Sequence, residues 1–395
     1  MEKAGQGERR VLHVMRLPMG GLFRHVRDLV IGQSEAGIEV GVISAAQPDD
    51  GISAERLGQL ESHCSLGLHL LSMPRLPGLG DVVNIRHVGA LAHRLKPDVL
   101  HGHGAKGGLL ARLAPAPGDT LRVYTPHGGS LHYEATSLQG FAYLTAERAM
   151  RARTDGVIFE SAFSQQAYLS KVGEPKGVTA VIHNGVSDDE FAFVERIDGP
   201  ADFLFIGELR MLKGVSTLIE AAALLARPVH IRIVGAGPDR TRFEEMAKAA
   251  GAHVRIEFLG AMPAREAFKL AKIAVMPSWN ESLPYVALEA AAAGIPLIAT
   301  DVGGIPEIFG PLSACLVQPR DAAALAGAME AALTDLDATK ITAMRLRARV
   351  AEHFSASRMV AEIDSFYTTL AAPGRDFSDS DLLIGENTQL TKLGR

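Results

Sequence analysis

Two glutamates bracket the start of a helix in the run Pro277-Ser278-Trp279-Asn280-Glu281-Ser282-Leu283-Pro284-Tyr285-Val286-Ala287-Leu288-Glu289. Ser282 is the expected N-cap, and Pro284 suits the first turn, where a missing N–H costs nothing. Ala290 to Ala293 propagate the helix, and Gly294 with Pro296 ends it. At a rise of about 1.5 Å per residue, Glu289 should lie roughly 9 Å along the axis from the helix mouth. That mouth carries free N–H groups and a partial positive charge, a natural seat for a diphosphate. One acid beside the diphosphate and another farther along the helix can grip two sugars, one on each side, which is what a nucleotide-sugar presents.

Glycine-bounded loops supply the other chemistry. Gly207-Glu208-Leu209-Arg210-Met211-Leu212-Lys213-Gly214 places two cations three apart, Arg210 for bidentate and Lys213 for point-charge contact with a diphosphate. Met19-Gly20-Gly21 lets backbone amides approach an anion closely, although a tight strand-to-helix turn accounts for its glycines equally well. Gly235-Ala236-Gly237-Pro238 could admit a ribose or base edge, or simply open a helix. Asp301-Val302-Gly303-Gly304-Ile305-Pro306-Glu307 adds an acid at the same rim.

Two histidine segments stand apart. In Leu100-His101-Gly102-His103-Gly104-Ala105-Lys106-Gly107-Gly108 the Gly-Lys-Ser/Thr of a phosphate loop is missing, which excludes that type of NTPase. His103 and Lys106 are expected to face an acceptor, with a solvated strand end as the bland alternative. His-x-His raises a metal, but without a nearby carboxylate or a third histidine at helical spacing none is expected. In Thr125-Pro126-His127-Gly128-Gly129 the ring has little to pack against, and His127 is the leading candidate to touch a transferred sugar.

Short β-branched runs and helical patterns alternate throughout and must position these residues. Strands are expected at Val11–Met15, Val40–Ser44, His69–Met73, Asp98–His101, Arg122–Thr125, Gly156–Phe159 and Val178–Ile182, with helical spacing over Leu22–Ala36 and Asp81–Leu95. A second series runs through Phe203–Ile206, His230–Val234, Arg255–Leu259, Ile273–Met276, Leu297–Ala299 and Cys315–Val317. Two such series predict an α/β fold of two doubly wound, Rossmann-like domains facing each other across a cleft. The expected limits are 1–190, 191–355, a helix at 356–371 where the chain crosses between the domains a second time, and a flexible tail at 372–395.

At 395 residues with 47% hydrophobic and 22% charged residues, the chain has material for two cores and a polar surface. The net charge of −5 argues against nucleic acid as a partner, because no basic excess exists to release phosphate counterions. Cys64 and Cys315 show no metal or disulfide spacing, and residues 1–10 lack an apolar signal core, so a cytoplasmic location is expected. No transmembrane span is expected. Arg16, Arg24, Arg27, Arg75, Arg86 and Lys106, with Leu76, Leu79 and Val82, leave reversible contact with an anionic membrane surface open.

In order and spacing these segments resemble retaining glycosyltransferases of the GT-B fold, in glycosyltransferase family 4, which builds bacterial polysaccharides and glycolipids. The likeness rests on Glu281 and Glu289, the Gly207–Gly214 loop, Gly20-Gly21, Asp301–Glu307 and Asn184-Gly185-Val186. It implies that Arg210, Lys213 and Gly21 bind the diphosphate of a UDP- or GDP-sugar, aided by the Ser282 and Leu283 amides. Glu289 would hold ribose and Glu281 the transferred sugar, without a metal or other cofactor. The acceptor would be a glycan or lipid-linked saccharide. The family commonly reads Gly-Arg-Leu where this chain has Gly207-Glu208-Leu209, so Arg210 would supply the charge from a different position. Two rivals share the architecture: a nucleotide-sugar 2-epimerase and a non-catalytic sugar-nucleotide sensor.

Overall fold

The structure, a computed structural model, describes residues 9–45, 51–74, 76, 78–133 and 136–372. Nearly all of the expected tail, and Arg75, lie outside the described residues. The chain divides into two compact units, Met1–Asn184 with Ala356–Arg395 and Gly185–Ser355.

Among the described residues the first unit holds seven parallel strands: β1 (Arg10–Val14), β2 (Glu39–Ala45), β3 (Gly67–Leu71), β4 (Val99–His103), β5 (Leu121–Thr125), β6 (Gly156–Phe159) and β7 (Val178–Val181). Their order is β3-β2-β1-β4-β5-β6-β7. Helices cover both faces, so the central strands β1 and β4 are buried at nearly every position. Alternate residues serve the two sides. Leu12, Val14 and Leu100 pack with Val88, Leu110 and Ala111. On the opposite face Val11, Val99 and Val123 meet Leu29 of helix Gly20–Glu35 and Met359, Ile363 and Phe366 of helix Ala356–Ala371. The last helix forms because its apolar residues recur every three or four positions, and the stripe it buries is the one its sequence presents.

The second unit repeats the plan with β8 (Ala201–Ile206), β9 (Val229–Val234), β10 (Val254–Gly260), β11 (Ala271–Met276) and β12 (Leu297–Ala299), ordered β10-β9-β8-β11-β12. The strand expected at Cys315–Val317 does not form. Gly310–Cys315 is a 3-10 turn, and only Val317 pairs, through a single bridge to Thr300. In each sheet the strand order reverses once, at β1/β4 and at β8/β11. Connections leave in opposite directions there and open a crevice at the carboxyl ends.

One buried charge cluster braces the first unit. Arg112 is fully buried, its guanidinium 3.8 Å from the Tyr124 ring centroid and 2.9 Å from Glu147. Arg112 Nε donates to the Gly108 carbonyl at 2.9 Å, and Tyr124 Oη donates to Glu147 at 2.9 Å. Removing one partner strands the other's charge. Arg112→Met should therefore cost about 3–5 kcal/mol in urea unfolding. The double variant Arg112→Met with Glu147→Leu should recover much of that loss.

Candidate active site

In the second unit the site is built by loops leaving β8 and β11, the two strands at the order reversal. After β8 the chain makes a one-turn helix, Met211–Lys213, closed by Gly214 in the left-handed region at φ 70°. A Cβ on Gly214 would lie 1.8 Å from the Pro277 carbonyl, so the β8 and β11 loops touch backbone to backbone. Trp279 locks the contact: its backbone N–H donates to Leu212 O at 2.8 Å and its indole N–H to Thr217 Oγ1 at 3.0 Å.

This contact brings Lys213 to Glu281. Lys213 Nζ donates to the two carboxylate oxygens at 2.7 and 2.9 Å, and Ser278 Oγ donates to Oε1 at 2.7 Å. The sequence pattern assigns these two side chains to separate parts of a ligand; in the folded protein they neutralise each other. Burial explains the pairing, because the Glu281 side chain is only 9% exposed and a lone charge there would lack solvation. Arg210 is exposed and lies 3.2 Å from Glu208, the residue that departs from the family pattern.

Three expectations about the helix mouth change. The N-cap is Pro284, the helix runs Tyr285–Ala292, and Ser282 precedes the cap. Its carbonyl instead accepts the Gly304 N–H at 2.6 Å. Glu289 is half-buried and, counted from Tyr285, about 6 Å along the axis and not 9 Å. Leu283 is buried beside the mouth. Gly237 is explained by close packing, since a Cβ there would lie 2.5 Å from Leu209 O.

The first unit's site lies at its own order reversal. A cavity of about 810 Å³ is lined by Met19, Leu22, Leu76, Leu109 and Met150, with Arg16, His103, Lys106, His127, Gln139 and Glu147 among its polar members. Gly20 and Gly21 are exposed at the start of helix Gly20–Glu35, between Met19 and Leu22. Lys106 is not an open cation. Its Nζ donates to both Asp81 oxygens, at 2.7 and 2.8 Å, with each side chain 8% exposed. Arg24 and Arg27 are likewise held, both by Asp28.

His127 does not stand alone, contrary to the expectation that its ring has little to pack against, and His103 is held as well. His103 is buried, hydrogen-bonded to His13 at 3.0 Å and His127 at 3.1 Å. The His127 ring packs edge-on to His25, centroids 4.7 Å apart. Its backbone is left-handed, φ 49°, followed by Gly128 at φ 72°. A non-glycine residue held there costs about 1–2 kcal/mol, a strain of the kind found at functional sites.

His13, His25 and Gln33 are not singled out by the sequence pattern. His13 pairs in register with His101 across β1 and β4, and His103 with Thr125 across β4 and β5, so all stand on one face. The available signal was a histidine inside an apolar strand, Val11-Leu12-His13-Val14, together with His25 and Gln33 at helical spacing. The third histidine judged missing from His101-x-His103 is supplied by the fold. Nitrogens of His13, His101 and His103, and of His25, His103 and His127, lie within 4.8 Å of one another in each triad, close enough to hold a metal ion. Most of these nitrogens are committed to each other or to Gln33, Asn184, Thr125 and Tyr367.

Sequence comparison matches residues 187–350 to the family described as Glycosyl transferases group 1 and residues 19–190 to Glycosyltransferase Family 4. The inferred glycosyltransferase EpsD of Bacillus subtilis is 30% identical over 294 residues, 69% of this chain and 76% of that protein. Glycogen synthase of Mycobacterium tuberculosis is 27% identical over 369 residues, 85% of this chain and 88% of its own. Among solved structures, sucrose-phosphate synthase from Thermosynechococcus elongatus superposes with a TM-score of 0.77 at 22% identity, covering 92% of this chain and 99% of that one. HepE of Anabaena, solved with UDP and glucose, also gives 0.77, at 19% identity and coverage of 92% and 100%. These likenesses establish the GT-B fold.

The buried imidazoles make stability pH-dependent. Burial lowers His13 and His25 to about 4, offset in part by hydrogen bonds to Gln33 and Asn184, and holds His101, His103 and His127 well below the ordinary range. The unfolded chain binds protons below about pH 6.5 that the folded chain refuses. Stability present above that pH is lost as pH falls toward 4. His13 and His25 alone should remove about 4 kcal/mol by about pH 5, read as a lowered urea midpoint against about pH 7.5. Equal midpoints would contradict buried neutral rings.

Proposed function

Because the chain belongs to glycosyltransferase family 4, we propose that it moves a sugar from a nucleotide-diphosphate donor to a hydroxyl of a glycan or glycolipid acceptor, with retention at the anomeric carbon. The observation that carries this reading is the Lys213–Glu281 pair at the β8/β11 reversal, a cation and an acid held together beside a helix mouth. The UDP and UDP-glucose held by HepE support a nucleotide-sugar donor of that kind.

On donor entry each member of the pair exchanges its partner for ligand. Lys213, with Arg210, meets phosphate oxygens, Glu281 meets hydroxyls of the transferred sugar, and Glu289 meets ribose. The transition state is oxocarbenium-like at the anomeric carbon while negative charge grows on the departing phosphate. Stabilising that charge is the strongest effect open to these side chains, worth about 3–4 kcal/mol for one well-placed donor. These protein cations do the work a metal would otherwise do. Retention follows from attack on the face of departure, the leaving phosphate oxygen taking the acceptor proton. Glu281 and Glu289 are not a glycosidase pair, because one is committed to the nucleotide.

The acceptor is assigned to the cavity of the first unit, whose apolar wall and histidine members suit a saccharide carried on an apolar group. Among the described residues no helix is long and apolar enough to cross a membrane. Reversible contact with the inner face of the cytoplasmic membrane would rest on the exposed Leu76, Leu79, Val82 and Val83. Arg24, Arg27 and Lys106 contribute little to it, being paired. Flotation with anionic and neutral vesicles tests this contact. No binding to either, with full transfer to a water-soluble acceptor, would refute it.

Lys213→Ala should lower turnover about a hundredfold, measured as release of UDP or GDP from a nucleotide-sugar panel. Wild-type turnover in this variant would remove the phosphate assignment, and formation of an isomeric nucleotide-sugar would replace transfer with epimerisation. Glu289→Gln should weaken calorimetric binding of the free nucleotide diphosphate, whereas Glu281→Gln should mainly impair sugar transfer. Equal losses in both variants would show that the two acids do not divide the donor this way.

A further inference from the structure

Four side chains of the first unit form one continuous line of hydrogen bonds. Gln33 Oε1 lies 2.8 Å from His13 Nε2, His13 Nδ1 lies 3.0 Å from His103 Nε2, and His103 Nδ1 lies 3.1 Å from His127 Nε2. Burial keeps the rings neutral, so each carries one proton and one lone pair. In such a line, fixing one end fixes every proton in it.

The fixed end is Gln33. A carbonyl oxygen can only accept, so His13 Nε2 carries its proton and donates. His13 Nδ1 is then bare and accepts from His103 Nε2–H. His103 Nδ1 is bare in turn and accepts from His127 Nε2–H, which leaves His127 Nδ1 without a proton. The Gln33 amide turns its oxygen toward His13, and its Nε2 makes no hydrogen bond among the described residues.

His127 is where the line reaches the cavity. Its Nδ1 has no hydrogen bond among the described residues, and the edge-on contact with His25 restrains ring rotation. His25 is itself anchored by Asn184 at 3.0 Å.

We infer that His13 and His103, directed by Gln33, are positioning residues that hold His127 as its Nε2–H tautomer and so present the Nδ1 lone pair to a ligand hydroxyl in the cavity. The ligand class rests on the proposed glycosyl transfer: a sugar hydroxyl donates to Nδ1, and a ligand offering only acceptors there is disfavoured. Three rings and an amide thus specify the hydrogen-bonding sense of one atom. Without Gln33, the line has no preferred direction, and His127 would present N–H and lone pair in mixture.

The test is 15N NMR of the full chain labelled at the imidazole nitrogens, where protonated and bare ring nitrogens resonate in separate regions. His127 should show a protonated Nε2 and a bare Nδ1. Gln33→Leu should mix the two tautomers and lower kcat about five- to tenfold at unchanged donor KM, the scale of one lost hydrogen bond. Gln33→Glu, which keeps the acceptor oxygen, should preserve the wild-type tautomer. A protonated Nδ1 in the wild type would overturn the inference, as would Gln33→Leu leaving tautomer or kcat unchanged, or equimolar Zn2+ displacing the ring protons. If both variants fail to fold, the wild-type spectrum still decides the tautomer. That spectrum needs no donor or acceptor, so absence of any glycosyl transfer would refute the proposed function while leaving the tautomer assignment to be judged on its own.

Discussion

A parallel sheet whose strand order reverses must leave a gap at the carboxyl ends of the two strands beside the reversal, because the chain departs from them in opposite directions. Both units of this protein are organised around that constraint. At β8/β11 the gap is bridged by backbone contact between the Gly214 and Pro277 segments, and the bridge delivers Lys213 to Glu281. At β1/β4 the gap is edged by His103 and by the turn that begins the helix of Gly20 and Gly21. The side chains with chemical character in either unit cluster around those strand ends.

The two units meet the cost of burying polar groups in different ways. The second keeps charges and pairs them, with a lysine still 30% exposed against a glutamate that is nearly buried. Such a pair can open, since each partner regains solvation or a ligand contact when it does. The first also pairs buried charges, Arg112 with Glu147 and Lys106 with Asp81, but its histidine cluster removes charge instead. Its five clustered histidines are neutral in the folded protein, and burial is the chief cause. Neutral imidazoles can then be joined in a line whose direction carries information, which charged rings repelling one another could not do.

Family likeness and geometry contribute different things. The matched families and relatives establish glycosyl transfer and the GT-B fold. They do not explain why Lys106, conspicuous in the sequence, is consumed by Asp81, or why Gly237 is a glycine. Those answers come from local packing: an ammonium 8% exposed takes the nearest carboxylate, and a backbone oxygen at 2.5 Å leaves no room for a Cβ.

The sequence by itself determined the elements and their class, because that information is local. Apolar runs such as Ile273–Met276 must be strands buried on both faces, and the stripe Met359, Ile363, Phe366 must be one face of a helix. Candidate loop residues stand out for the same reason: Glu281, Glu289, Arg210 and Lys213 lie in short segments marked by glycines and flanking strands. Helix starts were less so, since the contact that occupies Ser282, from Gly304, comes from a loop beyond the helix. What only the tertiary structure decided is which distant side chains share one environment. His13, His103 and His127 lie on or just after three different strands, Gln33 and His25 on a helix, and their meeting depends on strand register and helix packing that no local pattern records. Their charge state was equally hidden, because an imidazole's preference between proton and lone pair is set by burial and by the neighbours that the fold brings to it.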